Sequence, residues 1–166
     1  MKAFVLRKQQ FVSSPLREVF AFFEKPENLE LITPPALSFH IVSPRPISMK
    51  KDATIDYTIK VLGIRRCWQT RILEYEPMHR FVDEQLKGPY KSWLHTHTFR
   101  EQDNGTLVID EVSYIMPFGI LGRLVHAIFV RSQLQNIFEF RSRLIQELFD
   151  DPGTKMASAS VVAGSG

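Results

Sequence analysis

His95 and His97 stand two positions apart in the stretch Trp93-Leu94-His95-Thr96-His97-Thr98-Phe99. The stretch alternates for as long as a strand lasts, which puts both imidazoles on one side, about 7 Å apart by strand rise. Three chemistries fit such a pair. With Asp110, from the following strand, it makes a two-histidine, one-carboxylate metal set. An Asp–His pair beside Tyr114 makes a general acid–base couple for a carbonyl substrate, in enolisation, aldol cyclisation or dehydration. Two partly buried histidines bonded to Asp83, Gln85 or Asp110 make a structural polar network. No cysteine or further Glu/His ligand motif accompanies the pair, so the network is favoured over a metal, and no cofactor is expected.

The face that carries the histidines also carries Trp93 and Phe99, while Leu94, Thr96, Thr98 and Arg100 point the other way. Two large aromatics and two imidazoles suit neither a plain apolar core nor a solvated surface. A strand face of that kind lines a cavity. Tyr57, Trp68, Trp93, Phe99, Tyr114 and Phe138 are expected to line or border it, with the polar residues orienting one end of a ligand. Asp83 and Gln85 share a face with Phe81. Asp110 shares one with Val108, Val112, Tyr114 and Met116, but Leu107, Ile109 and Ile115 make the opposite face apolar too, so periodicity leaves the inward face of 106–116 open. Arg141 lies seven residues from both Leu134 and Leu148 in an apolar helical stripe. It either meets a ligand carboxylate or Asp110, or carries its charge out to solvent along its aliphatic stem. Cys67 stands beside Arg65-Arg66 with no histidine close in sequence and reads as a small hydrophobe.

These side chains must be positioned by a recognisable succession of elements. Residues 2–12 read as a strand, apolar at Phe4, Leu6 and Phe11. Ser14-Pro15 reads as a helix start, serine as N-cap and proline in the first turn. Leu16, Val19, Phe20 and Phe23 follow at helical spacing to about Glu24. A second short helix over 26–31 ends at Thr33-Pro34-Pro35. Strands follow at 37–42, 54–62, 65–76, 80–87, 90–100 and 106–116. Gly63, Gly88-Pro89 and Asp103-Asn104-Gly105 supply the turns. The period then changes: Leu121, Leu124, Val125, Ile128, Leu134, Ile137, Phe138, Leu144, Ile145 and Leu148 predict one helix over 121–149, roughly 40 Å long. Asp150-Asp151-Pro152-Gly153 stops it. Residues 1–150 read as a single domain and 151–166 as a disordered tail. A one-sided antiparallel sheet needs cover, and the long helix is the element able to give it.

At 166 residues the chain is long enough for a real core, and 13 phenylalanines point to bulky aromatic packing or a greasy pocket. A net charge of +3, with basic pairs scattered among acids, gives no nucleic-acid footprint. No apolar run approaches the roughly 20 residues a membrane span needs. The N-terminal stretch turns polar too soon for a signal peptide, and a single cysteine needs no oxidising compartment, so a cytoplasmic protein is expected. Nothing in the pattern sets an oligomeric state.

Several motifs in order resemble a known superfamily. They are Phe81-Val82-Asp83-Glu84-Gln85, Gly88-Pro89-Tyr90, the Trp93–Phe99 stretch, Asp110-Glu111-Val112 and Pro117-Phe118-Gly119-Ile120-Leu121-Gly122. Upstream, Glu18-Val19-Phe20-Ala21-Phe22-Phe23, Pro26-Glu27-Asn28-Leu29 and Leu31-Ile32-Thr33-Pro34-Pro35 belong to the same pattern. Across about residues 4–149 the chain resembles the START-like, or SRPBCC, superfamily, and within it the bacterial ligand-binding, cyclase/dehydrase-like branch. The resemblance implies an α+β helix-grip fold. A bent seven-stranded antiparallel sheet wraps a long C-terminal helix, with two short helices after the first strand and a deep hydrophobic cavity between. It also implies binding of lipids, sterols, polyketides or quinones. Some relatives are aromatase/cyclases and others carry lipids, so the site must decide. The residues favour binding or carriage of a small hydrophobic ligand. The alternative is a polyketide cyclase/dehydratase-like enzyme, with His95, His97 and Asp110 as its acid–base groups.

Overall fold

The computed structural model describes residues 3–61 and 63–150; the tail expected over 151–166 lies outside them. The strands are β1 (Phe4–Val12), β2 (His40–Ile41), β3 (Thr54–Val61), β4 (Ile64–Glu76), β5 (Arg80–Lys87), β6 (Ser92–Gln102) and β7 (Gly105–Ile115). They form one antiparallel sheet in the order β1-β7-β6-β5-β4-β3-β2. From β2 to β7 each strand pairs with its chain neighbour, and β1 closes the other edge against β7. The short β3–β4 connection turns at Gly63, whose φ of 78° lies in the left-handed region that glycine enters without steric cost. Asp103 and Asn104 hold φ values of 46° and 65° between β6 and β7, the conformation their side chains tolerate best among non-glycine residues. Register shifts in β4 against β5, at Gln69/Thr70 and Ile72/Glu74, bend the sheet in its middle.

Helix α1 (Leu16–Phe23) buries Val19, Phe20 and Phe23. Its start differs from expectation. Pro15 occupies the N-cap without a side-chain bond, and the buried Ser14 hydroxyl caps nothing. The second short helix is a 3-10 turn over Pro26–Leu29. The strand expected over 37–42 shrinks to the two residues of β2, because a 3-10 turn takes Pro35–Leu37.

The long helix is interrupted. It consists of α2 (Gly119–Val125), a π-helical segment (His126–Val130) and α3 (Arg131–Asp150). The wider π turn rotates the face presented to the sheet. Downstream of it Leu134, Phe138, Arg141, Ile145 and Phe149 are buried. Upstream of it Leu121 and Leu124, and within it Ile128, all expected on the inward stripe, face solvent, while His126 is buried. A single helical phase drawn across 121–149 cannot follow that rotation.

Buried apolar side chains gather in three clusters among the described residues. One joins α1, the 99/108 rung of β6 and β7, and the end of α3. One joins β7 to the start of α3 through Val112, Tyr114, Leu134 and Phe138. The third, Ile41, Ile55 and Ile72, holds β2, β3 and β4 together. A hollow opens between these clusters.

Candidate functional site

Strand register builds the polar centre of this hollow. On β6, Trp93, His95, His97 and Phe99 all face the helix side, as alternation predicts. His95 sits directly opposite Asp83 of β5, and His97 directly opposite Asp110 of β7. β7 turns Val108, Asp110, Val112 and Tyr114 inward, which resolves the face that periodicity left open. Opposite residues on one sheet face have Cβ atoms about 5 Å apart, so each imidazole has one carboxylate beside it and one on the diagonal.

The four side chains close into a box. His95 Nε2 is 3.1 Å from Asp110 Oδ1, and His97 Nε2 is 3.3 Å from Asp83 Oδ2. His95 Nδ1 lies 3.8 Å from Asp83 Oδ2. His97 Nδ1 approaches Asp110 Oδ1 at 2.7 Å, as an ion-pair contact out of line for a hydrogen bond. The rings converge to 3.8 Å between centroids, well inside the spacing that strand rise alone gives. Phe81 stacks on His97 at 4.3 Å, and Phe138 of α3 meets His95 edge-on at 5.7 Å.

Charge is distributed unequally over the pair. Burial works against protonation of both. At His97 the field and contacts of Asp110, with those of Asp83, outweigh burial and raise the pKa above its ordinary value. At His95, burial and the neighbouring His97 prevail over the carboxylates and lower it. Asp110 resists the upward push of burial because His97 and His95 hold it well below the usual carboxylate range. Between the two imidazoles the box therefore favours the proton on His97, against an anionic Asp110.

Arg141 completes the centre from the helix. It does not carry its charge to solvent: it is 8% exposed and lines the cavity, its guanidinium 5.1 Å from the Phe138 ring centroid. Burial lowers its pKa, against the fields of Asp110 and Asp83, but a guanidinium remains a cation at neutral pH. Its Nε and Nη1 have no hydrogen-bond partner, and neither does Trp68 Nε1 across the cavity wall. Each such buried donor left without an acceptor costs about 1–3 kcal/mol.

The cavity itself is about 150 Å³, of the order that admits an aromatic ring, and its surface is mainly apolar. Tyr57, Trp68, Asp83, Trp93, His95 and His97 line it from the sheet, Phe138 and Arg141 from the helix. Four other expected residues lie elsewhere. Asp110 stands behind the histidines as their carboxylate partner. Gln85 exchanges hydrogen bonds with the backbone of Tyr90 and pins the β5–β6 connection. Phe99 fills the α1 core at 1% exposure, and Tyr114 bonds its hydroxyl to His126 Nε2 at 2.8 Å. Sequence reading missed Tyr90, which folds over the cavity against Trp93 and Trp68 at 4.8 and 5.6 Å. Its place in a Gly-Pro turn hid it, though an aromatic immediately after such a turn was the available signal.

Asp83, His95 and His97 bring ligand atoms within 4.8 Å of one another, close enough to hold an ion. Those atoms already face one another across the box, and the cationic His97 and Arg141 oppose a further positive charge. Elemental mass spectrometry of the purified protein is expected to find no stoichiometric zinc, iron or nickel. A stoichiometric metal that His97→Ala removes would reverse this assignment.

A bent antiparallel sheet closed by a long C-terminal helix over a mainly apolar, polar-centred cavity defines a helix-grip domain. The model of the family described as "Polyketide cyclase / dehydrase and lipid transport" matches residues 12–147, and the chain belongs to that family. Solved structures agree on the fold. The chain is similar to the protein TTHA0849 of Thermus thermophilus, at 17% identity and TM-score 0.68, covering 86% of this chain and 94% of that one. It is similar to the ginseng major latex-like protein 151 of Panax ginseng at 12% identity and TM-score 0.65, covering 89% and 97%. One domain of the di-domain ARO/CYC StfQ of the steffimycin biosynthetic pathway also aligns, at 11% identity and TM-score 0.68, over 89% of this chain and 51% of that one. No curated protein matches. Among the described residues no helix is long and apolar enough to cross a membrane.

Proposed function

We propose that the protein binds and carries a small hydrophobic molecule in the cavity between sheet and helix. The observation that supports this reading is the mainly apolar hollow with its few convergent polar groups at one end, the usual form of a small-molecule site. Tyr57, Trp68, Tyr90, Trp93 and Phe138 provide the aromatic wall, and the Asp83–His95–His97 face orients the ligand. A cytoplasmic setting belongs to the proposal, since Cys67 is exposed and unpaired and needs no oxidising compartment. Native mass spectrometry and lipid extraction of protein purified from its own host are expected to release a bound apolar molecule. A host-purified protein that carries none, and binds none from a host lipid extract, would defeat the proposal.

A second reading rests on the imidazoles themselves, which stand on the cavity wall with carboxylates behind them. In that reading a linear poly-β-ketone enters, and neutral His95 takes a proton from an activated methylene while cationic His97 donates one to the carbonyl oxygen. His97→Gln separates the two readings. In a carrier it removes a polar contact and weakens ligand affinity up to roughly tenfold. In a proton-transfer enzyme it cuts turnover about 10²–10⁴-fold with binding nearly intact. We expect the first result, measured by titration of the captured ligand beside a mass and ultraviolet assay on poly-β-ketone mimics.

A further inference from the structure

The cavity wall is unbalanced in a way that specifies the ligand's head group. Four buried atoms of its lining residues lack a hydrogen-bond partner: His97 Nδ1, which has Asp110 Oδ1 at 2.7 Å as an ion-pair contact, and Trp68 Nε1, Arg141 Nε and Arg141 Nη1, which are all donors. The carboxylates on this side face the histidines rather than Arg141. Asp83 Oδ2 and Asp110 Oδ1 each face two imidazole nitrogens, at 2.7–3.8 Å. Among the described residues no carboxylate pairs with Arg141. A guanidinium buried against Phe138 with free donors is what a protein keeps when a ligand brings the acceptor.

Building on the carrier reading, we infer that the ligand is an apolar molecule with a carboxylate head, and that Arg141 binds this head from helix α3 with Trp68 as a further donor. The choice of carboxylate over a neutral carbonyl follows from the guanidinium. A carbonyl accepts its hydrogen bonds but brings no charge into contact with the guanidinium, which Asp110 and Asp83 reach only through their fields; a carboxylate supplies both, in charge-assisted bonds roughly twice as strong as neutral ones. The apolar remainder lies along Ile55, Ile72 and Leu134, which line the same hollow.

The experiment is a calorimetric titration of the whole protein with octanoate and with 2-octanone, matched in length and differing in the charge of the head. Octanoate is expected to bind about tenfold or more tightly than the ketone. Arg141→Gln is expected to abolish that preference by lowering octanoate affinity more than 2-octanone affinity. Ketone binding as tight as octanoate, or an octanoate preference that survives Arg141→Gln, would overturn the acidic head group and leave the carrier reading standing. Binding of neither by the native protein would overturn the carboxylate head, while the carrier reading stands or falls on the host-extract experiment. The native comparison needs no variant, so the proposal stays testable if Arg141→Gln does not fold; Trp68→Phe, which removes one donor and keeps the ring packing, is then expected to narrow the preference.

Discussion

Asp110→Ala is expected to lose about 3–5 kcal/mol of stability in urea unfolding at neutral pH, the range for removing one partner of a buried pair. The carboxylate is buried, reaches His95 at 3.1 Å and His97 at 2.7 Å, and sits within the field of Arg141. Removing it leaves His97 buried with Asp83 as its remaining counter-ion and withdraws one of the two charges that offset Arg141. The cost is a property of the pair. Replacing both partners, Asp110→Asn with His97→Gln, is expected to cost less than the sum of those two single changes, because two neutral amides can satisfy one another where a cation left with half its counter-charge cannot. A single-variant loss below about 1 kcal/mol, or strict additivity in the double variant, would mean that the box contributes nothing cooperative.

The same pair fixes a pH signature. His97 has its pKa raised above 6.5, so its contribution is fully present below that value and is lost as pH rises through the folded pKa. Asp110 has its pKa depressed below 3.8, so its contribution is present above that value and is lost as pH falls through the folded pKa. The gap in stability between the native protein and Asp110→Ala is therefore expected to be widest from about pH 4 to 6.5 and to narrow on both sides. His95, with its pKa lowered, adds a separate trend: the unfolded chain takes up that proton more readily, so stability falls as pH drops below 6.5.

The sheet was legible in the sequence because its signals are local. Alternation in Trp93–Phe99, the Asp103-Asn104-Gly105 turn and the glycine at 63 each set a strand or a turn within a few residues, and register then followed from the turns. The inward placement of Trp93, His95 and His97 came from the same parity. The fate of Asp110 did not, because apolar residues occupy both faces of β7; the deciding fact is its pairing opposite His97, a contact between strands. Arg141 shows the reverse limit. Helical spacing put it on the buried stripe, but whether a long cation stays there or reaches solvent depends on what faces it, here two carboxylates and an aromatic ring on other elements. The outward turn of Leu121, Leu124 and Ile128 follows from the π segment, and a wider turn in one place leaves no mark in a hydrophobic pattern.

Phe99→Ala is the companion test, because it separates what holds the domain together from what meets the ligand. Phe99 shares its strand face with Trp93 and the histidines, which is why alternation assigns it to the cavity. In the fold it is 1% exposed and packed edge-on against Phe20 and Phe23, both at 5.2 Å, with Phe81 at 5.9 Å. Truncating a phenylalanine so enclosed removes its transfer free energy and leaves a void that helix α1 and strands β5 to β7 can only partly close, for about 3–5 kcal/mol. In a domain of this size that lowers the melting temperature by roughly 10 °C. Ligand affinity, measured below the new melting point, is expected to stay within a few-fold of native, since Phe23 and Phe81 stand between Phe99 and the hollow. Trp93→Ala is expected to do the opposite, losing ligand affinity with a smaller loss of stability, because its ring is half-buried on the cavity wall. A Phe99→Ala variant that kept its melting temperature but lost the ligand would return Phe99 to the binding surface.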